Sequence, residues 1–319
     1  MTAADQRSTL RVHRIEWAAE GILEVELRDP AGADLPAFSA GAHVDLVLPN
    51  GITRSYSLAN DPAERHRWVL GIGLDPSSRG GSRFVHRDLR VGEMLTVVGP
   101  RNHFPLDESA GHSVLIAGGI GITPMAAMAH RLAGLGRSFA FHYAVRDRSR
   151  AAFLDRVRAL APHFALHVDA EVGHPLDIAA IVAAAPPGTH FYCCGPLPML
   201  AAFEAATAGL PAEQVHLEYF KAKPVEAAAA TGFEIEIAGT GRVLEVPPEK
   251  SIADVLEAAG LKTGISCQEG ICGSCEVKVV SGEPDHRDQV LTAAEKASGK
   301  TMMICVSRSK SPRLVIELA

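Results

Sequence analysis

Short alternations of apolar and polar positions dominate the first hundred residues. Leu23, Val25 and Leu27 alternate with Glu24 and Glu26, and Val44, Leu46 and Leu48 repeat the same period of two. On a strand that period puts the apolar set on one face and the carboxylates on the other. The turn signals Asp29-Pro30, Pro49-Asn50-Gly51 and Asp61-Pro62 separate these segments, and no strong helical period competes. An antiparallel β-barrel over residues 1–108 is the expectation. The pattern changes at Ser113, where the unbroken apolar run Val114-Leu115-Ile116-Ala117 leads into a glycine turn, Gly118-Gly119-Ile120-Gly121-Ile122-Thr123-Pro124, and a helical stretch over 125–132. Apolar strands recur at 139–145, 165–168 and 190–194, alternate with helical patterns at 151–160, 177–184 and 197–208, and end with a strand at 214–220. Strand-helix alternation predicts a doubly wound α/β parallel sheet over 109–222, a fold whose ligands lie at the carboxyl ends of its strands. Residues 223–231 hold an alanine run without an apolar face and read as a linker. The period of two returns at Phe233, Ile235 and Ile237; Ser251, with Asp254 three residues on, opens a helix over 252–259. Strands at 276–280, around Cys305 and at 314–318, with a turn between the first two, complete a small α+β domain over 232–319. The chain is expected to be multidomain.

Its 319 residues suffice for two or three domains. The net charge of -6 is spread along the chain, which gives no basic face for nucleic acid. Residues 1–10 lack an apolar signal segment, and no run of about 18 apolar residues follows. A cytoplasmic monomer without membrane contact is the expectation. Six cysteines are too few for a disulfide framework at this length.

Four of those cysteines carry a pattern. Cys267, Cys272 and Cys275 share one short loop, and Cys305 follows after 29 intervening residues. That is C-x4-C-x2-C...C, the spacing by which plant-type ferredoxins hold a [2Fe-2S] cluster. Gly270 and Gly273 let the loop curl, since they take positive φ and carry no Cβ. A zinc site, usually built from paired C-x2-C knuckles, and buried inert thiols are the competing readings. In the barrel, Arg54-Ser55-Tyr56-Ser57 places Arg54 and Tyr56 on one strand face, a guanidinium for a phosphate and a phenol for an aromatic ligand. The loop Ser77-Ser78-Arg79-Gly80-Gly81-Ser82 then opens a short helix at Arg83, a natural phosphate site. The glycine turn lacks the G-x-G-x-x-G spacing of dehydrogenases and says only that something approaches its backbone closely. Cys193-Cys194-Gly195-Pro196 ends a strand at the same carboxyl edge. Cys193 reads as a small buried hydrophobe, and Cys194 is better placed to line the crevice.

These motifs, in this order, resemble the phthalate dioxygenase reductase family and the similar vanillate O-demethylase reductases, over nearly the whole chain. The resemblance implies a flavin-binding barrel, an NAD-binding α/β domain and a β-grasp-like ferredoxin domain. It also implies an NADH-dependent enzyme that passes single electrons to a separate terminal oxygenase, usually a Rieske-type one. Carried over, Arg54 contacts the flavin phosphate, Tyr56 the isoalloxazine, and Ser57 lies near flavin N5. Gly81 and Ser82 cradle the phosphate, while Gly119, Gly121 and Thr123 line the nicotinamide and pyrophosphate. Cys194, with Gly195 and Pro196, lies near the reacting nicotinamide carbon, and Phe220 covers the flavin face. The groups expected to touch the reacting atoms are Ser57, Thr123, Cys194 and Phe220. FMN is expected over FAD, since the phosphate contacts can terminate a mononucleotide. NADH is expected over NADPH because Asp147, just past the strand ending at Val145, would repel a 2′-phosphate; Arg146 and Arg148 argue the other way. A hydride donor delivers two electrons and a [2Fe-2S] cluster accepts one, so a flavin must stand between them. An FAD-dependent reductase of a di-iron or other monooxygenase is the alternative, and a non-enzymatic iron-sulfur redox sensor the second.

Overall fold

Six antiparallel strands, β1 (Arg7–Ala19), β2 (Ile22–Arg28), β3 (His43–Val47), β4 (Thr53–Ser57), β5 (Trp68–Gly73) and β6 (Met94–Arg101), form one sheet in the order β4-β3-β6-β1-β2-β5. A bridge between Leu58 and Leu70 joins its two edges and closes the barrel. The computed structural model describes residues 6–76, 79–223, 231–261 and 263–318. Ser77, Ser78 and most of the expected linker lie outside them. The chain divides into two compact units, Met1–Phe220 and Lys221–Ala319.

Strand alternation misleads at β2. Glu24 and Glu26 face no solvent; they are 3% and 2% exposed. Arginines cover them. Arg14 and Arg156 reach Glu24 at 2.6 and 2.8 Å, and Arg28 and Arg67 reach Glu26 at 2.6 and 3.2 Å. Burial alone would raise the Glu26 carboxyl, but Arg28 and Arg67 hold it below its ordinary value. Removing one partner of such a buried group costs about 3–5 kcal/mol.

Arg156 comes from the second layer of this unit. There β7 (His112–Gly118), α2 (Ile122–Gly134), β8 (Ser138–Val145), α3 (Leu154–Leu160), β9 (His163–Val168), α4 (Asp169–Val172), α5 (Ile178–Ala184), β10 (His190–Cys194), α6 (Leu197–Thr207) and β11 (Val215–Glu218) follow in turn. The five strands are parallel, in the order β11-β10-β7-β8-β9. The chain builds outward from β7 on both sides, so the switch point falls between β7 and β10, where an open parallel sheet receives its ligand. Two boundaries differ from expectation. The glycine turn is a 3-10 turn at Gly119–Gly121 with the helix starting at Ile122, and β11 stops at Glu218, leaving Tyr219 and Phe220 beyond it. Barrel and sheet share one apolar core, from Leu10 and Trp68 to Phe141 and Tyr192.

The second unit contains β12 (Phe233–Ile237), β13 (Arg242–Val246), α7 (Ile252–Ala258), β14 (Glu276–Ser281), β15 (Pro284–Asp285), α8 (Ala293–Ser298), β16 (Thr301–Met303), β17 (Arg308–Ser309) and β18 (Arg313–Glu317). Its main sheet runs β13-β12-β18-β14-β16. The apolar set of β12, Phe233, Ile235 and Ile237, is buried with Ile252, Ala253 and Leu256 of α7, and Ser251 and Asp254 complete a reciprocal capping box. The segment expected as a turn between the last cysteines holds α8, opened by a second capping box of Thr292 and Glu295. Cys305 lies in the turn after β16 and not in a strand.

Candidate functional site

At the switch point two backbones touch. Gly121 packs so closely on the end of β10 that a Cβ there would stand 2.1 Å from the Cys194 carbonyl oxygen, so no other residue fits without moving the backbone. Met199 of α6 fills the space between Gly118 and Gly195. The glycine turn and Cys194-Gly195-Pro196, more than seventy residues apart in the chain, thus form one edge. Tyr143 holds that edge from β8, its hydroxyl donating to the Gly119 carbonyl at 3.3 Å. Thr123 donates its hydroxyl proton to the Ile120 carbonyl at 3.0 Å and turns its methyl group onto Gly71 of β5. The turn therefore faces the barrel wall as well as the sheet edge.

On the barrel, Arg54 and Tyr56 sit on β4 beside the short helix α1 (Gly81–Arg87). A Cβ on Gly81 would stand 2.7 Å from Arg54 Cγ, so the arginine stem crosses the start of the helix, whose first turn carries no acid. Backbone N–H groups and a guanidinium converge there, the donor set a phosphate needs. Ser82 Oγ accepts from the Asp75 backbone at 3.2 Å. Burial pushes the Tyr56 phenol up to about 12, against the pull of Arg54, so it serves as a neutral ring. Ser57 is buried at the end of β4, and Phe220 packs against the shared core. Asp147, half-exposed, follows β8.

Cys194 is as fully buried as Cys193, and burial pushes both thiols well above their ordinary value. Neither is held as a thiolate. Beside Cys194 across β10–β11 stands a residue that the sequence reading passed over, Glu218. Its Oε2 is buried without a hydrogen-bond partner, and burial raises the carboxyl to about 8. At neutral pH it is a proton-bearing group at the edge of the crevice. A glutamate ending an apolar strand was the available signal.

In the second unit the loop 267–275 curls over Gly270, whose φ is +67° and whose added Cβ would meet Val306 at 2.5 Å. The Gln289 backbone N–H donates to the Gly270 carbonyl at 2.9 Å and fixes the loop's outer turn. Cys267, Cys272 and Cys275 are buried, and Cys305 is half-buried. Hydrogen bonding with Cys272 and Cys305 holds Cys267 well below the ordinary thiol range; Cys275 is lowered by Cys305. The thiol contacts therefore run Cys272 to Cys267 to Cys305 to Cys275. Among the described residues no three such side chains are grouped to hold a single metal ion. A run of paired thiols suits a group with two metal positions better than one zinc. The Glu269 N–H donates to Cys267 Sγ at 3.3 Å and Ser274 Oγ lies 3.2 Å from Cys272 Sγ, contacts that stabilise charge on sulfur.

Comparison with known proteins agrees with this geometry. Residues 235–310 match the 2Fe-2S iron-sulfur cluster binding domain family. The chain is 53% identical over 310 residues to the phenoxybenzoate dioxygenase subunit beta of Ectopseudomonas oleovorans, covering 97% of each. Among solved structures it resembles phthalate dioxygenase reductase, described as a modular structure for electron transfer from pyridine nucleotides to [2Fe-2S], at TM-score 0.73 and 39% identity, covering 98% of both chains. It also resembles an intact type IV self-sufficient cytochrome P450 monooxygenase at TM-score 0.89 and 40% identity, covering 97% of this chain and 41% of that longer one. Barrel, switch-point sheet and four-thiol loop define an iron-sulfur oxidoreductase of the electron-transfer class. The chain belongs to the family of phthalate dioxygenase reductase and the vanillate O-demethylase oxidoreductases. No helix among the described residues is long and apolar enough to cross a membrane.

Proposed function

We propose that this chain is the reductase component of a two-component oxygenase, drawing electrons from NADH through FMN and a [2Fe-2S] cluster to a separate, Rieske-type terminal oxygenase in the cytoplasm. The observation that carries this reading is the glycine turn, which meets Cys194 on the sheet side and Gly71 of the barrel on the other. A crevice shared by a phosphate-binding barrel and a nucleotide sheet brings a nicotinamide to a flavin, and hydride transfer needs the reacting atoms within about 3–3.5 Å. When bound, the flavin accepts the hydride and releases its electrons singly. The protein's own groups do the positioning. Arg54 and the Gly81 end of α1 hold the phosphate, Tyr56 packs on the ring system, and Ser57 stands near its reacting nitrogen. Thr123, Gly119 and Gly121 seat the nicotinamide end, with Cys194 below it and Phe220 on the flavin face. Cys267, Cys272, Cys275 and Cys305 hold the cluster. Glu269, Ile271, Gly273 and Ser274 keep part of their surface open around it, and the oxygenase docks there through a small transient interface.

The phenoxybenzoate and phthalate dioxygenase relatives support an aromatic substrate for the partner. The match to part of a self-sufficient cytochrome P450 monooxygenase favours a second reading, in which the partner is a haem monooxygenase. Flavin released from the purified protein and identified by chromatography tests the first: FMN at one per chain is expected, and FAD overturns the mononucleotide reading. Reduction of a Rieske oxygenase, but not of a haem monooxygenase, by NADH and this protein separates the two partners.

A further inference from the structure

The choice between NADH and NADPH, which rests on the reading above, is made at the carboxyl end of β8. Gly118 pairs with Ala144 across β7 and β8, so Arg146, Asp147, Arg148 and Arg150 emerge beside the glycine turn, where such a sheet receives the nucleotide ribose. By count, three arginines outweigh one aspartate there and would welcome a 2′-phosphate. The structure commits two of them to carboxylates. Arg148 makes a fork-to-fork pair with Glu171 of α4, Nε to Oε1 at 2.8 Å and Nη2 to Oε2 at 2.7 Å. Arg150 reaches Glu20 of the barrel at 2.9 Å, with its Nε 3.8 Å from Asp147 Oδ2, and Ser149 donates to the other oxygen of the Glu20 carboxylate at 2.9 Å.

We propose that Glu171 is a specificity-determining residue: by holding Arg148 in a bidentate pair it withholds that guanidinium from a 2′-phosphate and leaves the Asp147 carboxylate to face the ribose. Arg148 and Glu171 are 58% and 50% exposed, so the pair is a surface contact whose value lies in its two parallel hydrogen bonds. Removing the carboxylate therefore leaves the fold intact and frees a long cationic side chain. The guanidinium that a carboxylate holds in this fork is the group that would hold a phosphate in the same geometry. Glu171 acts through Arg148 and is a positioning residue.

The test compares the wild-type holoprotein with Glu171→Gln and with the double variant Glu171→Gln/Arg148→Ala. Arg146, which forms no ion pair with any described residue, is present in all three, so the comparison isolates Arg148. Titration calorimetry with adenosine 2′,5′-bisphosphate and with 5′-AMP reads the charge effect without turnover, and kcat/KM for NADPH and NADH reads it in the reaction. The expected result is a gain of about tenfold for the 2′-phosphorylated ligand in Glu171→Gln, the factor one new charge-assisted contact supplies. Affinity for 5′-AMP stays within about twofold, and the gain disappears in the double variant. A wild-type protein that prefers NADH while Glu171→Gln gains nothing overturns the role of Glu171 and keeps the NADH reading. A gain that survives Arg148→Ala also overturns it. Equal wild-type efficiency with both nucleotides overturns the NADH reading, and this inference with it.

Discussion

Nine consecutive residues, 267–275, supply three of the four thiols in the second unit, whereas the crevice of the first draws on β4, α1, the turn after β7, and the ends of β10 and β11. The two regions also differ in what their titratable groups face. In the cluster loop the thiols pair with one another, which lowers the proton affinity of Cys267 and Cys275 and raises that of Cys272 and Cys305, and a backbone N–H donates to Cys267. The crevice sets the buried Cys194 beside the half-buried Glu218, with proton affinities pushed up. A metal group takes thiolate ligands, so the thiols give up their protons as it binds, and a ligand that brings its own charge needs space and neutral walls. That difference predicts how each region fails.

The cluster loop fails completely. Cys272→Ser is expected to abolish or severely destabilise the cluster, read as lost iron and lost visible absorption, because the thiol is buried and loses its place in the chain of pairs. Reduction of the flavin by NADH should continue, since the function proposed above assigns that chemistry to the other unit. A normal iron count in this variant would break the comparison at its stronger end. The crevice fails by degrees. Gly121→Ala drives a Cβ to 2.1 Å from the Cys194 carbonyl oxygen, and relieving such an overlap costs about 1–3 kcal/mol. The expected outcome is a lower melting temperature and slower flavin reduction by NADH with the cluster spectrum unchanged. An unaltered reduction rate would separate the glycine turn from the nucleotide.

The same contrast governs what could be read in advance. C-x4-C-x2-C...C is a local code, legible because a short loop must present its thiols from fixed positions. The crevice is not local: the contact of Gly121 with Cys194 exists only once the sheet order places β7 beside β10. Strand-helix alternation was enough to foresee that sheet. Alternation failed at Glu24 and Glu26, because, besides Arg28 of the same strand, the arginines that cover them come from β1, from α3 and from the residue before β5. Helix α8 escaped because its six residues show no apolar stripe, none of them being buried. Glu218 carries no motif of its own, and only its position against Cys194 marks it.

Glu218 gives the smallest effect on turnover at neutral pH and the sharpest test of the crevice. Its carboxyl titrates at about 4.5 in the unfolded chain and about 8 in the folded one. Between those values the native state binds more protons than the unfolded state, so stability falls as pH rises through the window, by up to about 1.4 kcal/mol per pH unit. Below pH 4.5 the carboxyl is protonated in both states and contributes no slope; above about 8 the full cost is present. Glu218→Gln keeps the shape, cannot ionise, and should remove this component. Denaturant unfolding of both proteins from pH 5 to pH 8.5 is therefore expected to show curves that lie together at the acid end and diverge as pH rises, with the glutamine variant the more stable. Other titrating groups are common to both proteins, so the difference curve isolates this carboxyl. A difference independent of pH would mean that Glu218 stays ionised, hydrated through the accessible part of its surface, and that the crevice is wetter than its buried Oε2 implies.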